Sequence, residues 1–237
     1  MGADPVVVAV VPALDEEDAI AAVVAGLLGQ GVVSEVVVVD NGSADATPER
    51  ARTAGARVVA EPRRGYGRAC LTGVLAAGGS DVIVLLDGDA ADDPADLARI
   101  LTPLVAGEAD LVVGARGRGA RERGAMTPQQ LAGNRIACGL MRALHGMRVT
   151  DLGPFRAIRR DHLLALEMAE MTYGWSAEMA VKAGRAGLRY REVPVAYRRR
   201  VGASKVGGTL RGSIGAGAAI TAAIVRHSRW RPAAPPS

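Results

Sequence analysis

Four aspartates follow an apolar run in the stretch VLLDGDAADDP, which covers residues 84–94. They are Asp87, Asp89, Asp92 and Asp93. Repulsion makes such a cluster costly unless water, a cation or hydrogen-bond donors balance the negative charge. Side chains alternate along a strand, so Asp87 and Asp89 project to the same side of the chain. Two carboxylates that converge at a strand end suit a divalent cation such as Mg²⁺, which prefers oxygen ligands.

The other two aspartates of the cluster indicate a different role. Asp92 and Asp93 precede Pro94 and a helical pattern. Carboxylates at such positions accept hydrogen bonds from free N–H groups and complement the helix dipole. An isolated D-x-D pair is typical of a solvated turn, but this pair directly follows a buried strand. We therefore predict metal binding at Asp87 and Asp89 and helix capping at Asp92 and Asp93.

The elements that position these carboxylates alternate along the first half of the chain. Four β-rich segments are separated by helical patterns, and they read VVVAVVPAL, EVVVVD, ARVVAE and DVIVLLD. Continuous apolar strands between helices predict an α/β fold, with a mostly parallel sheet covered by helices on both faces. Ligands of such sheets bind beyond the carboxyl ends of the strands. We therefore expect the strand-end segments to meet at one edge of the sheet, at 12–16, 40–43, 65–67 and 87–89.

The second half of the chain continues the pattern without a linker. It contains a strand at ADLVVGAR, a glycine- and charge-rich loop at GRGARERGAM, and a long helix at TPQQLAGNRIACGLMRALHGM. A turn, a strand and a helix follow in VTDLGPFRAIRRDHLLAL, then the helix WSAEMAVKAGRAG and the strand YREVPVAYRRR. This pattern predicts one domain over residues 1–228 and a disordered tail at 229–237, which ends in PAAPPS.

Charge is unevenly divided along the chain. Residues 1–110 carry a net charge of −11 and residues 111–237 carry +15, which gives +4 overall. A basic half can face nucleic acid, an anionic membrane or a phosphorylated ligand. Aromatic residues make up only 3% of the chain, too few for the stacking platforms that bind nucleic acid. The apolar run SIGAGAAITAAIV has 13 residues, whereas a membrane-spanning helix needs roughly 20.

Several segments stand in a recognisable order. They are VVPALDEE, VVVDNGSADAT, RRGYGRACLTG, LLDGDAADDP, TDLGPFRAIRR, GWSAEMAVKAGRAGLRYREVPV and YRRRVGASK. This ordered set resembles the inverting family 2 glycosyltransferases of the GT-A fold, which include dolichol-phosphate mannose synthase and bacterial polyprenyl-phosphate glycosyltransferases. The resemblance implies transfer of a sugar from a UDP- or GDP-sugar to a polyprenyl phosphate or a soluble hydroxyl compound. It also implies a nucleotide-sugar half at about 1–115 and an acceptor half at about 116–228.

The resemblance assigns donor contacts to the first half of the chain. The residues that it places at the nucleotide sugar are Pro12, Ala13, Leu14, Glu16, Asp40, Gly65, Gly67, Asp87 and Asp89. Asp40 would accept a hydrogen bond from the base, and the two glycines would let the backbone approach the nucleotide or adopt special dihedral angles. Asp87 and Asp89 would hold Mg²⁺ or Mn²⁺, with Asp89 as the first candidate for a direct ligand. Asn41 replaces a frequent second Asp and Asp15 a frequent Asn.

The resemblance assigns charge stabilisation and acceptor binding to the second half. A diphosphate leaving group gains negative charge as the glycosidic bond breaks, so fixed cations aimed at it stabilise the transition state. The residues placed at the diphosphate or a phosphorylated acceptor are Arg199, Arg200, Ser204 and Lys205. Transfer to a hydroxyl needs a general base, whereas a lipid phosphate is already anionic. Asp151 is the first candidate for a base and Glu178 the second, and a structural role stays open for each.

Two other functions are alternatives to glycosyl transfer, namely sugar-phosphate nucleotidyl transfer and non-enzymatic nucleic-acid binding. A sugar-phosphate nucleotidyltransferase usually carries a glycine-rich segment with a basic residue directly after its first strand, where this chain has PALDEE. A non-enzymatic nucleic-acid binder would use the basic half. The two widely separated cysteines, Cys70 and Cys138, indicate a reducing compartment. We therefore expect a cytoplasmic enzyme, with peripheral contact at the inner face of the plasma membrane through the basic C-terminal segment.

Overall fold

A computed structural model describes residues 4–202 and 210–232. In these residues seven strands form one sheet in the order β3-β2-β1-β4-β6-β5-β7. The strands are β1 (Val7–Ala13), β2 (Glu35–Asp40), β3 (Arg57–Ala60), β4 (Val82–Leu85), β5 (Leu111–Ala115), β6 (Arg156–Arg159) and β7 (Tyr190–Pro194). All neighbouring pairs are parallel except those of β6, which runs antiparallel to β4 and β5. The predicted α/β fold with a mostly parallel sheet is confirmed.

Eight α-helices accompany the sheet in the described ranges. They are α1 (Ile20–Leu28), α2 (Thr47–Thr53), α3 (Tyr66–Ala76), α4 (Leu97–Val105), α5 (Pro128–His145), α6 (Arg160–Ala165), α7 (Trp175–Arg185) and α8 (Leu210–Arg226). Helix α5 begins at a capping box formed by Thr127 and Gln130, and it ends at Gly146 in the left-handed region. These are the signals that bound a long helix in sequence.

The core lies on both faces of the sheet because the side chains of each strand alternate. In β1, Val7, Ala9 and Val11 pack against α1 and α4, while Val8 and Val10 pack against the face covered by α3 and α7. A third apolar cluster joins α5, α7 and α8. Both faces of the sheet are therefore covered, as continuous apolar strands require.

Strand register brings the carboxyl ends of the first strands to one level. Ala13 of β1 lies beside Asp40 of β2, which lies beside Ala60 of β3. Val10 of β1 lies beside Leu85 of β4, so the loop that carries Asp87 begins at the same edge. Among the described residues, no helix is both long enough and apolar enough to cross a bilayer. Both cysteines are buried and free, in agreement with the sequence prediction.

Candidate active site

The ends of β1 and β2 are tied together by short polar contacts. The backbone N–H of Asp15 donates to Oγ of Ser43 at 2.9 Å, and Oδ1 of Asp15 accepts from the N–H of Ala44 at 2.7 Å. Oδ1 of Asp40 accepts from the N–H of Ser43 at 2.9 Å. These contacts bring the segments 12–16 and 40–43 together, as predicted. Pro12 and Ala13 are buried at this edge, and Leu14 is half-buried beside them.

Asn41 organises the loop that leads to α3. Its Nδ2 donates to the carbonyl oxygens of Glu61 and Arg63 at 2.8 and 2.9 Å, and its Oδ1 accepts from the N–H of Gly65 at 2.8 Å. An ionised aspartate has no hydrogen to donate, so it could not make the first two bonds. The departure from the frequent second Asp therefore supplies two donors as well as removing a charge.

Gly65 and Gly67 lie directly against the segment 170–172. A Cβ on Gly65 would stand 2.4 Å from the carbonyl oxygen of Met171, and one on Gly67 would stand 2.1 Å from that of Glu170. Gly65 also has a φ of +148°, which favours glycine. In the structure these two glycines thus allow one backbone segment to approach another. Their proposed contact with a nucleotide is an additional role.

Asp87 extends from the end of β4 into the site, where its side chain is partly exposed. Its Oδ1 accepts a hydrogen bond from the hydroxyl of Tyr66 at 2.9 Å. Burial and the neighbouring charge of Asp89 raise the pKa of Asp87 to about 6. A cation between the two carboxylates would remove the repulsion that contributes to this shift.

Asp89 is buried and is held from two sides. Its Oδ1 accepts from the N–H of Ala91 at 3.0 Å, and its Oδ2 lies 3.5 Å from Nη1 of Arg200. The same guanidinium donates to Oε1 of Glu16 at 2.6 Å. Arg200 therefore joins the end of β1 to the D-x-D pair. The basic run after β7 and the acidic run after β4, more than a hundred residues apart in sequence, meet here.

The two remaining aspartates of the cluster differ in their environments. Oδ1 of Asp93 accepts from the N–H of Ala95 and caps a 3-10 helix at Pro94–Asp96, as predicted. Asp92 does not cap it. The Asp92 carboxylate is 2% exposed and finds no hydrogen-bond partner within the described residues. Burial and the charge of Asp87 raise the pKa of Asp92 well above its usual value. The capping prediction was therefore right for Asp93 and wrong for Asp92.

The other members of the basic run diverge from Arg200. Arg198 pairs with Asp93 at the protein surface. The backbone N–H of Arg199 donates to Glu122 of the loop after β5 at 2.8 Å, and its side chain is exposed. Ser204 and Lys205 lie outside the described residues. Of the two arginines named from sequence, Arg200 is the one whose side chain contacts the carboxylates of the site.

Asp151, the first candidate base, is 3% exposed and engaged by Arg116. Oδ2 accepts from Nε and from the backbone N–H of Arg116 at 3.0 and 2.7 Å, and Oδ1 accepts from Nη2 at 2.6 Å. The Arg116 guanidinium also lies 5.1 Å from the ring centre of Tyr197. A bidentate arginine partner occupies the oxygens that a base would use. The geometry favours a structural role for Asp151.

Glu178, the second candidate base, is fully buried in α7. Its carboxylate lies 2.8 Å from Nζ of Lys182 and accepts hydrogen bonds from the N–H groups of Ala169 and Glu170. Nζ of Lys182 also donates to the carbonyl oxygen of Glu167 at 2.7 Å. This ion pair fastens the segment 167–170 to α7. The contacts of Glu178 are those of a structural residue.

Two residues of the site carry weak signals in the sequence. Arg116 follows β5 in the way that Asp87 follows β4, so strand-end position alone identifies it as a candidate. Tyr66 lies in the GYG segment, in which the sequence pattern predicts a role for the two glycines but none for the tyrosine. The contact between Tyr66 and Asp87 depends on how α3 packs beside β4, which local sequence does not encode.

A divalent cation fits the carboxylate pair when the substrate supplies further ligands. In the described ranges, no group of three or more His, Cys, Asp or Glu side chains is arranged to hold a metal ion. Asp87 and Asp89 offer hard oxygen atoms, and their repulsion is relieved by positive charge. Mg²⁺ is usually held by one or two carboxylates together with substrate phosphates and water, and this donor set matches that pattern.

Comparison with known proteins identifies the family. The model of glycosyl transferase family 2 matches residues 8–166. An uncharacterized glycosyltransferase of Mycobacterium tuberculosis is 39% identical over 90% of this chain and 95% of its own length. A dolichyl-phosphate hexose transferase of Haloferax volcanii is 37% identical over 90% of this chain and 89% of its own. This chain belongs to glycosyltransferase family 2.

The fold agrees with that of a solved structural neighbour. Glucosyl-3-phosphoglycerate synthase from Mycobacterium tuberculosis, crystallised with Mn²⁺, UDP and glucosyl-3-phosphoglycerate, superposes with a TM-score of 0.76. The two chains are 25% identical, and the match covers 94% of this chain and 80% of the other. The chain is thus a glycosyltransferase with the predicted GT-A architecture.

Proposed function

We propose that the protein transfers a hexose from a nucleoside diphosphate sugar to a polyprenyl phosphate, with inversion and with Mg²⁺ or Mn²⁺. The observation that carries the donor site is the contact of Arg200 with Asp89, two residues after Asp87, at the carboxyl edge of the sheet. The Mn²⁺ and UDP bound by the solved structural neighbour support the same chemistry. The donor is a UDP- or GDP-sugar, because both fit the predicted hydrogen bond from the base to Asp40.

The residues of this chain perform distinct parts of the transfer. Asp87 and Asp89 would hold the cation, which neutralises charge on the diphosphate as the sugar leaves. Pro12, Ala13 and Leu14 would enclose the base and ribose. Arg200, which contacts Glu16 and Asp89, would add positive charge beside the leaving diphosphate. We assign Arg199, Ser204 and Lys205 to the phosphorylated acceptor.

The contacts of the two candidate bases favour a lipid phosphate over a hydroxyl compound as the acceptor. The carboxylate oxygens of Asp151 are occupied by Arg116 and those of Glu178 by Lys182 and backbone N–H groups, so neither carboxylate is free to contact an acceptor hydroxyl. A hydroxyl nucleophile must lose a proton as it attacks, whereas a phosphate oxygen is already anionic. The name of the Haloferax relative, a dolichyl-phosphate hexose transferase, supports this acceptor class. A soluble hydroxyl acceptor, as in the solved neighbour, is the second candidate.

A panel of donors and acceptors tests the proposed function. UDP-, GDP- and dTDP-hexoses are combined with Mg²⁺ or Mn²⁺ and with a short polyprenyl phosphate or 3-phosphoglycerate, and labelled products are separated. We expect transfer from one nucleotide class to the polyprenyl phosphate only, with loss of activity in EDTA. Transfer to 3-phosphoglycerate alone would contradict the lipid acceptor, and an absence of transfer with every pair would contradict the function.

A further inference from the structure

The phenol of Tyr66 points at the metal-binding pair from outside it. Tyr66 is the first residue of α3, and its ring packs against the apolar cluster between the sheet and α7. Its hydroxyl donates to Oδ1 of Asp87 at 2.9 Å. Within the residues that the structure describes, Oδ2 of Asp87 accepts no hydrogen bond. One oxygen of the carboxylate is therefore fixed by the phenol, and the other is available to a cation.

The position of Tyr66 is itself fixed from two sides. On its N-terminal side, the N–H of Gly65 donates to Oδ1 of Asn41 at 2.8 Å. On its C-terminal side, the N–H of Gly67 donates to the carbonyl oxygen of Thr172 and that of Arg68 donates to Met171, at 3.2 and 3.1 Å. Glycine at 65 and 67 allows this close approach. The first turn of α3 thus sits in a clamp between the β2 loop and the segment 170–172.

The segment 170–172 is in turn anchored to the last helices. The Glu178–Lys182 pair holds the backbone at 167–170, and Glu170 accepts from Nη1 of Arg226 at the end of α8 at 3.2 Å. A continuous chain of contacts therefore runs from α7 and α8 through the α3 turn to the hydroxyl of Tyr66. Such support is what a metal-binding carboxylate needs in order to keep its orientation.

We propose that Tyr66 is a positioning residue that orients Asp87 toward the divalent cation of the donor site. This inference rests on the proposed function. Without the hydroxyl, Asp87 can rotate about its side-chain bonds, and the cation must restrict that rotation when it binds. Loss of an outer partner of a metal ligand typically costs about 10- to 100-fold in metal affinity. The hydroxyl of Tyr66 donates to Asp87 and not to the residues proposed for the base and ribose, so we expect nucleotide binding that needs no metal to be unaffected.

The test compares Tyr66→Phe, which removes only the hydroxyl, with Tyr173→Phe, which alters an exposed tyrosine of the same region. Mn²⁺ is titrated in the presence of saturating UDP or GDP by electron paramagnetic resonance, and nucleotide binding in EDTA is measured by calorimetry. We expect Tyr66→Phe to weaken Mn²⁺ binding by about 10-fold or more while nucleotide binding in EDTA stays at the wild-type value. Tyr173→Phe should match wild type in both measurements.

Each other result has a distinct meaning. Equal Mn²⁺ affinity in Tyr66→Phe and wild type would overturn this inference and leave the proposed function standing. A parallel loss of nucleotide binding in EDTA would also overturn it, because the hydroxyl would then shape the pocket as a whole. A wild-type protein whose nucleotide binding is not promoted by Mn²⁺ would overturn the proposed function and this inference with it.

Discussion

At the scale of single residues, position along a strand is the signal that finds the site. Asp87, Asp89 and Asp40 were predicted because each follows or ends a buried strand. The partners of these residues were harder to predict. The pairing of Arg200 with Glu16 joins residues 184 positions apart, and the phenol of Tyr66 reaches Asp87 across two elements. Such contacts depend on packing, which local residue patterns do not specify.

Glu178, the second candidate base, instead has the contacts of a residue that stabilises the fold. Glu178 and Lys182 are spaced i, i+4 on α7, a pattern usually typical of an exposed ion pair, yet both are fully buried. Removal of one partner of a buried ion pair leaves an uncompensated charge and costs about 3–5 kcal/mol. We therefore expect Lys182→Met to lower the free energy of unfolding by about this amount in urea denaturation.

The matched control for that substitution is a surface ion pair. Arg159 and Asp161 are both more than half exposed, and exposed pairs contribute about 0–1 kcal/mol. Asp161→Asn should therefore leave the unfolding midpoint almost unchanged. If Lys182→Met were as stable as Asp161→Asn, the Glu178–Lys182 pair would not be a structural anchor for the segment 167–170.

At the scale of elements, periodicity predicted nearly all strands and helices, and the mostly parallel sheet followed from their alternation. What the pattern left open is the direction of β6. This strand has only four residues, and it inserts antiparallel between β4 and β5. Its placement is set by pairing with distant strands, which its own sequence does not encode. The close packing of α3 against 170–172 is likewise a tertiary feature. Its only signal in the local sequence is the pair of glycines in GYG, which allow the close approach.

Alanine substitution is expected to have opposite effects on stability at two glycines, one in the packed first turn of α3 and one on the exposed face of α5. In Gly67→Ala the new methyl group would meet the carbonyl oxygen of Glu170, so the α3 turn or the facing segment must shift. We expect a loss of about 1–3 kcal/mol in the free energy of unfolding, as for other overpacked sites. Gly139 lies on an exposed part of α5 with open space around it.

Gly139→Ala should gain roughly 0.5–1 kcal/mol, because alanine loses less backbone entropy in a helix. Urea denaturation of the two variants beside wild type measures both effects. Equal stability of Gly67→Ala and Gly139→Ala would show that the first turn of α3 can accept a methyl group without strain, which would contradict the close contact with Glu170.

At the scale of the whole molecule, the division of charge now has a physical explanation. The acidic first half supplies the carboxylates of the proposed donor site, and the basic second half supplies Arg200 and the surface proposed for an anionic acceptor. Helices α5 and α8 pack against each other, and neither contains an acidic residue. Their exposed residues include Ile136, Leu144 and Val225. Apolar side chains among arginines suit contact with an anionic bilayer.

A membrane-facing surface predicts salt-sensitive binding to anionic vesicles. We expect the protein to float with phosphatidylglycerol vesicles at low salt and to be released from them as the salt concentration rises. With vesicles of phosphatidylcholine alone, we expect the protein to remain in the unbound fraction. The double variant Arg135→Gln/Arg142→Gln on α5 should weaken flotation, whereas Arg52→Gln on α2 should not. Recovery of wild-type protein only in the vesicle-free fraction would argue against peripheral contact and for a soluble acceptor.

The central claim is that Asp87 and Asp89 bind the metal ion and thereby the donor. It is tested most directly by the rate of labelled hexose transfer to polyprenyl phosphate, measured with Mn²⁺ for wild type and Asp89→Asn. Asp89→Asn keeps the size of the side chain and removes its charge, so circular dichroism should report an unchanged fold. We predict that the transfer rate falls at least 100-fold, because the metal ion is then bound less well and the negative charge on the leaving diphosphate is less stabilised. Transfer by Asp89→Asn at the wild-type rate would contradict the account.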